Sequence, residues 1–207
     1  MQLKQFFKPI VCKACFKTFI PLSLENVFEN REKCLCKHCY EQMNPNITIK
    51  RIKGIEHMFL YEYKSYFREL LYRFKGCYDL PLKDIFLDYY LNILKMKYYG
   101  YSVVPIPSNE SENIERGFNH VTEVFKLLNL PILEVLEKNK PYKQADRNGA
   151  ERKEIEKVLV LKEPIKANSK ILIVDDVYTT GNTIRAAVCL VLKYSKRIKV
   201  LLLAKNI

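Results

Sequence analysis

ILIVDDVYTTGNT occupies residues 171–183 of a chain of 207. Its first four residues are apolar and mostly β-branched, which predicts a buried strand. That strand delivers two adjacent carboxylates, Asp175 and Asp176, to its carboxyl end. The turn that follows, Thr179-Thr180-Gly181-Asn182-Thr183, is rich in hydroxyls and glycine and leads into a helix over 182–192. Such a turn aims backbone N–H groups and hydroxyls at one point beside the positive end of the helix dipole, which suits a phosphate. The carboxylates would repel that phosphate, so they must serve another part of the ligand. Paired sugar hydroxyls, or a cation escorting the phosphates, are the natural partners. As strand-end groups, both are expected to be replaceable with little loss of stability. No GxxxxGK[ST] string occurs, so this is not a Walker A loop.

Outward from this string, short apolar strands alternate with helices. Strands are expected over 101–106, 131–136, 158–161 and 198–203. Ile114, Phe118, Val121, Phe125 and Leu128 fall on one face of a single helix. The alternation predicts βαβ units around a mostly parallel sheet, with ligands outside the carboxyl ends of its strands. Before residue 100 the texture differs. Residues 47–63 alternate around Gly54 and predict a hairpin, and 64–76 a helix ending at Gly76. Leu82, Ile85, Phe86, Tyr89, Ile93 and Met96 mark a second amphipathic helix. Residues 141–154 are polar and charged, as in a loop.

Five of the seven cysteines lie in the first 40 residues. Cys12-x-x-Cys15 and Cys36-x-x-Cys39 are 20 residues apart, and two such pairs fit a tetrahedral, structural Zn²⁺. Cys34 and His38 compete for the second pair; Cys36 and Cys39 are preferred because they repeat the two-residue spacer. The odd count and the absence of a signal-like leader argue against a disulfide framework and for the cytoplasm. No apolar run reaches the ~20 residues of a membrane span. Lys and Arg outnumber Asp and Glu by 35 to 23, a formal charge of +12 spread over both halves of the chain. That balance favours polyanionic partners. Lys33, Lys37, Lys50, Arg51 and Lys53, near the cysteines, are candidates for a nucleic-acid-facing surface.

VDDVYTTGNT resembles the 5-phosphoribosyl-1-pyrophosphate (PRPP) loop of type I phosphoribosyltransferases. The resemblance implies that Asp175 and Asp176 bind the ribose hydroxyls. Tyr178, Thr179, Thr180, Gly181, Asn182 and Thr183 would hold the 5′-phosphate, and Mg²⁺ would arrive with the pyrophosphate. VVPIPSNESENIERGFNH, residues 103–120, is similar to the P-x-P…ERGFNQ block of the ComF family, a phosphoribosyltransferase-like competence family. It places Ser108 in a polar loop and Arg116 near a helix start, where each could meet the pyrophosphate. His120 stands where the family usually carries Gln. At a helix N-terminus it is expected to be a neutral surface residue without chemistry. QADRNGAERKE, residues 144–154, resembles the family's flexible loop and adds Arg152 to the pyrophosphate candidates. YRFKG, residues 72–76, matches a family helix end, and the family also carries an N-terminal four-cysteine zinc element.

The resemblance covers nearly the whole chain. It implies an α/β, phosphoribosyltransferase type I-like fold: a mostly parallel sheet with flanking helices, plus a small zinc element. The expected division is 1–45 for the zinc element and 46–207 for the phosphoribosyltransferase-like domain, with hairpin and helices in 46–100 and the PRPP core in 101–207. The implied role is binding of PRPP or a related ligand in support of single-stranded DNA uptake, directly or through a DNA-uptake helicase. Two other readings remain: a metabolic phosphoribosyltransferase acting on a nucleobase or amine, and a non-catalytic PRPP-binding module. No base-binding segment is recognisable before residue 100.

Overall fold

The structure, a computed structural model, describes residues 9–20, 34–108, 110–138 and 159–206. A five-stranded sheet carries the fold. In chain order its strands are β3 (Pro45–Ile52), β4 (Ile55–Glu62), β5 (Ser102–Pro105), β8 (Lys170–Tyr178) and β9 (Arg197–Lys205). The spatial order is β3-β4-β9-β8-β5. Only β3 runs antiparallel; the β4–β9, β9–β8 and β8–β5 pairs are parallel. The hairpin expected around Gly54 is therefore the edge of the main sheet. Two small ribbons complete the β structure, β1 (Ile10–Val11) with β2 (Thr18–Phe19), and β6 (Leu136–Lys138) with β7 (Leu159–Leu161).

Alternation along β8 and β9 divides the core between the two faces of the sheet. Leu172, Val174, Leu201 and Leu203 face α2 (Ser65–Gly76), a 3₁₀ segment (Leu80–Phe86), α3 (Leu91–Lys97) and α5 (His120–Phe125). Ile171, Ile173, Val200 and Leu202 face α6 (Asn182–Val191) and the β6–β7 ribbon. Cys12, Ala14, Leu35, Cys39 and Met43, the last beside α1 (Lys37–Gln42), join the first of these cores. Arg73 Nη1 donates to Ala14 O at 2.9 Å, and Asp88 Oδ2 accepts from the backbone N–H groups of Cys34 and Leu35 at 3.2 Å. The cysteine region is thus docked against the helical segment.

Several expected elements differ. The helix read through 82–96 is two pieces: Leu82, Ile85 and Phe86 are buried in the 3₁₀ segment, whereas Ile93 and Met96 on α3 are exposed. The helix read through 114–128 is also broken. Gly117, at φ +78°, ends α4 (Glu110–Arg116), and Asn119 caps α5 by accepting from the N–H groups of Val121 and Thr122. ERGFN is therefore a corner between two helices rather than the start of one. In place of a strand over 131–136 there is a single bridge, Val103 to Ile132, and then β6. Most consequentially, β8 does not stop at Val174. It pairs with β9 as far as Tyr178, so Asp175 and Asp176 lie within the strand.

Candidate functional site

Because side chains alternate along a strand, Asp175 and Asp176 point to opposite faces of the sheet. Asp176 continues the row of Leu172 and Val174 toward α2 and α5. It is 7% exposed and holds three donors. Its Oδ2 accepts from Lys75 Nζ at 2.5 Å and from His120 Nε2 at 2.8 Å, and its Oδ1 from Val177 N–H at 2.6 Å. Burial alone would raise this carboxyl, but His120 and Lys75 outweigh it and hold it well below the usual carboxylate range. Asp175 continues the row of Ile171 and Ile173 toward α6. Its Oδ1 accepts from the Asp176 N–H at 2.9 Å. Burial and the Asp176 charge push its carboxyl well above the ordinary value. The strand thus carries one carboxylate bound into the protein and one carboxyl, beside the helix, whose ionisation is disfavoured.

The turn after β8 runs directly into α6. Gly181, at φ +74°, is the residue before the first helical turn, and its carbonyl accepts from Arg185 N–H at 2.8 Å. A Cβ at Gly181 would lie 2.2 Å from the Tyr178 hydroxyl, so glycine is required both by the backbone and by the ring lying across it. The Tyr178 ring meets Phe59 and His57 edge to face. Thr179, Thr180 and Asn182 are exposed and Thr183 is partly buried. The N–H groups that open any helix lack intrahelical partners, which makes this corner able to receive an anion.

The pyrophosphate candidates are distributed differently. Ser108 follows β5, and its hydroxyl is 3.1 Å from His120 Nδ1. Arg116 lies at the carboxyl end of α4, not at a helix start, and is 9% exposed. Its Nε donates to Lys75 O at 2.8 Å, and its Nη1 lies 3.4 Å from Asn113 Oδ1 and 3.1 Å from His120 Nδ1. Arg152 and the rest of 144–154 fall outside the described residues.

His120 is the main correction. Expected at the surface, it is 5% exposed and joins Ser108, Arg116 and Asp176. Burial lowers its pKa, and Lys75 and Arg116 lower it further against the pull of Asp176. Lys75, in the YRFKG segment, joins the same cluster through Asp176. The only sequence signal for either was its place inside a matched motif.

Near the N-terminus, Cys12, Cys15, Cys36 and Cys39 bring their sulfurs within 4.8 Å of one another. The Cys15 and Cys36 sulfurs are 3.9 Å apart, close to the ~3.8 Å edge of a tetrahedron with Zn–S bonds of about 2.3 Å. These residues could hold a metal ion. Burial pushes the Cys12 thiol up, but the backbone N–H groups of Cys36, Cys15 and Ala14 bring it down to about 7, whereas burial leaves the Cys36 and Cys39 thiols raised. Tyr66 donates to the Cys39 sulfur at 3.3 Å, a supporting contact from α2. Cys34, buried, and His38, exposed, lie outside this group.

The candidate basic residues do not share one face. Lys50 pairs across the hairpin with His57 on the α6 side, Arg51 is on the other side, and Lys53 is in the turn. Lys37 is exposed on α1 beside Glu41, and Lys33 is outside the described residues. Lys205, at the end of β9, adjoins Lys50, whose proximity lowers its pKa. No helix among the described residues is long and apolar enough to cross a membrane.

Residues 115–207 match the phosphoribosyl transferase domain family. The chain is 28% identical over 198 residues to competence protein ComFC of Streptococcus pneumoniae, covering 86% of this chain and 90% of that protein. It is 30% identical over 137 residues to competence protein ComFC of Bacillus subtilis, covering 65% of this chain and 57% of that protein.

Proposed function

We propose that this chain, which is similar to competence protein ComFC and matches the phosphoribosyl transferase domain family over residues 115–207, is a ComF-type competence protein that binds PRPP or a related phosphoribosyl ligand in the cytoplasm and supports single-stranded DNA uptake during transformation. The observation that carries this is the junction of β8 and α6, where a carboxylate-bearing strand turns through a left-handed glycine into a helix. Thr179, Thr180, Gly181, Asn182 and Thr183 take the 5′-phosphate with Tyr178 alongside, and Asp175 takes a ribose hydroxyl. Asp176 faces the other side of the strand and serves through its partners. Ser108 and Arg152 are the pyrophosphate contacts, and Arg116 is linked to Ser108 through His120. Mg²⁺ accompanies the pyrophosphate, as hard oxygen ligands and a reluctance to shed water require. A structural Zn²⁺ on Cys12, Cys15, Cys36 and Cys39 holds together the amino-terminal element ahead of residue 46, which docks on the helical segment.

One observation favours the metabolic alternative. A cavity of about 280 Å³ opens beside the loop, lined by Tyr178, His57, Ile184, Val188 and Arg185 among others. A planar acceptor would fit a space of that size, at the lower end of ligand pockets. Two measurements separate the readings. Fluorescence anisotropy with a labelled single strand, at two salt concentrations, should show micromolar or weaker binding that weakens steeply with salt, and weaker still after charge reversal at Lys50 and Lys53. Pyrophosphate release from PRPP in the presence of candidate bases or amines should be absent. Release with a defined acceptor, and no DNA binding at low salt, would put the metabolic enzyme first.

A further inference from the structure

The hydrogen bonds around His120 fix its chemical state. Arg116 Nη1 lies 3.1 Å from His120 Nδ1. A guanidinium can only donate, so Nδ1 is the bare, accepting nitrogen, and the Ser108 hydroxyl at 3.1 Å faces the same atom. The ring proton is therefore on Nε2, from which it is donated to Asp176 Oδ2 at 2.8 Å. The ring is a neutral bridge with its donor toward the carboxylate and its acceptor toward the guanidinium.

The charges facing this bridge come from three elements. Arg116 approaches from α4, Lys75 from α2 and Asp176 from β8; Glu112, on the same turn as Arg116, reaches only its far nitrogen at 3.5 Å. Phe74 closes one side of the ring with an edge contact. A proton added to Nδ1 would set two donors and two positive charges 3.1 Å apart in a buried site, with Lys75 close by. Either Arg116 or the imidazole would have to leave. Ser108, on the loop after β5, and Lys75, at the end of α2, would lose their common anchor.

We propose that His120 is a positioning residue: as a neutral bridge of one tautomer it ties Ser108 and Arg116 to Asp176, and the phosphoribosyl site is assembled only while that ring is uncharged. The proposal rests on the reading of this site as a phosphoribosyl site. The lowered pKa of the buried ring agrees with it, since the neutral form then persists below the ordinary imidazole value.

The test has two arms, both on the full chain. ¹⁵N-histidine NMR reads the tautomer directly, with the three histidines distinguished by substituting His38 and His57 in turn. At pH 7 His120 should carry its proton on Nε2 alone. A proton on Nδ1, alone or in addition, overturns the proposal. The second arm measures binding of PRPP with Mg²⁺ by calorimetry at about pH 7.5 and about pH 5.5, for wild type, His120→Gln and His120→Leu. Glutamine offers an amide N–H to Asp176 and a carbonyl to Arg116, and it does not titrate. H120Q should bind within about threefold of wild type at the higher pH, whereas H120L should be about tenfold weaker or worse at both. On acidification wild type should lose at least about fivefold more affinity than H120Q, because the phosphates of the ligand titrate alike for both. Parallel pH profiles for wild type and H120Q, or wild-type affinity in H120L, overturn the proposal. If wild type binds no PRPP at either pH, the phosphoribosyl reading has failed, and the tautomer measurement decides the bridge by itself.

Discussion

Asp175 and Asp176 are neighbours with opposite environments, and their separate replacement by asparagine should move stability in opposite directions. Removing one member of a buried ion pair costs about 3–5 kcal/mol. The Lys75 side chain is 32% exposed and can recover water, so screening reduces the effect of Asp176→Asn to about 2–3 kcal/mol. For a chain of this length each kcal/mol shifts Tm by about 2–4 °C, which gives a fall of about 4–12 °C. Asp175 has the reverse sign. Burial and the Asp176 charge raise its folded pKa above the unfolded value, so ionising it weakens the fold. The penalty is absent below the unfolded pKa and grows as pH rises through it toward the folded value. Asp175→Asn keeps an acceptor for the Asp176 N–H and removes that penalty, so its Tm at pH 7 should equal or exceed wild type. The advantage should disappear near pH 4, close to the ordinary Asp pKa. Thermal melts followed by circular dichroism, at both pH values and with equal metal content, measure this. Equal losses in the two variants would refute the assignment of the two faces. The expectation that both carboxylates could be exchanged with little loss of stability took them as strand-end groups, whereas Asp176 is a buried hub.

Cys36→Ser should lose its metal and destabilise the amino-terminal element, since structural zinc contributes directly to folding; elemental analysis should find about one zinc per wild-type chain and little in the variant. Gly181→Ala places a Cβ against Tyr178 at a left-handed position, so it should lower Tm and weaken PRPP, as melts and calorimetry would show. His57 and His120 both have lowered pKa values. The unfolded chain therefore takes up their protons first as pH falls below about 6.5, and stability should decline from there until the folded pKa values are crossed; chemical denaturation at stepped pH checks it.

The parts of the fold that were legible in the sequence rest on local signals. The apolar run 171–174, the alternation around Gly54 and the matched cysteine spacers each act over a few residues, and each is present as an element or a cluster. The extent of β8 was hidden because Asp175, Asp176 and Tyr178 carry polar groups that resemble a loop, whereas backbone pairing with Leu202, Ala204 and Lys205 keeps them in the sheet. The periodic row 82–96 suggested one helix, but burial of Leu82, Ile85 and Phe86 is met by a tighter 3₁₀ segment, and α3 buries Leu91 and Leu94 while Ile93 and Met96 face outward. ERGFN looked like a helix start because Asn119 is indeed a cap; the preceding Gly117 already ends another helix. Lys75 and His120 were beyond local reasoning. They meet Asp176 across 101 and 56 residues of chain, and only the packing of α2 and α5 on one face of the sheet brings them there.

Calorimetry of PRPP with Mg²⁺ against zinc-loaded wild type and Asp175→Asn tests the central claim most directly. The account predicts one site per chain in wild type. In the variant, whose stability should be unimpaired, binding should be roughly two- to tenfold weaker, the ~0.5–1.5 kcal/mol of one hydrogen bond. No binding to folded wild type, or unchanged affinity in Asp175→Asn, would contradict it.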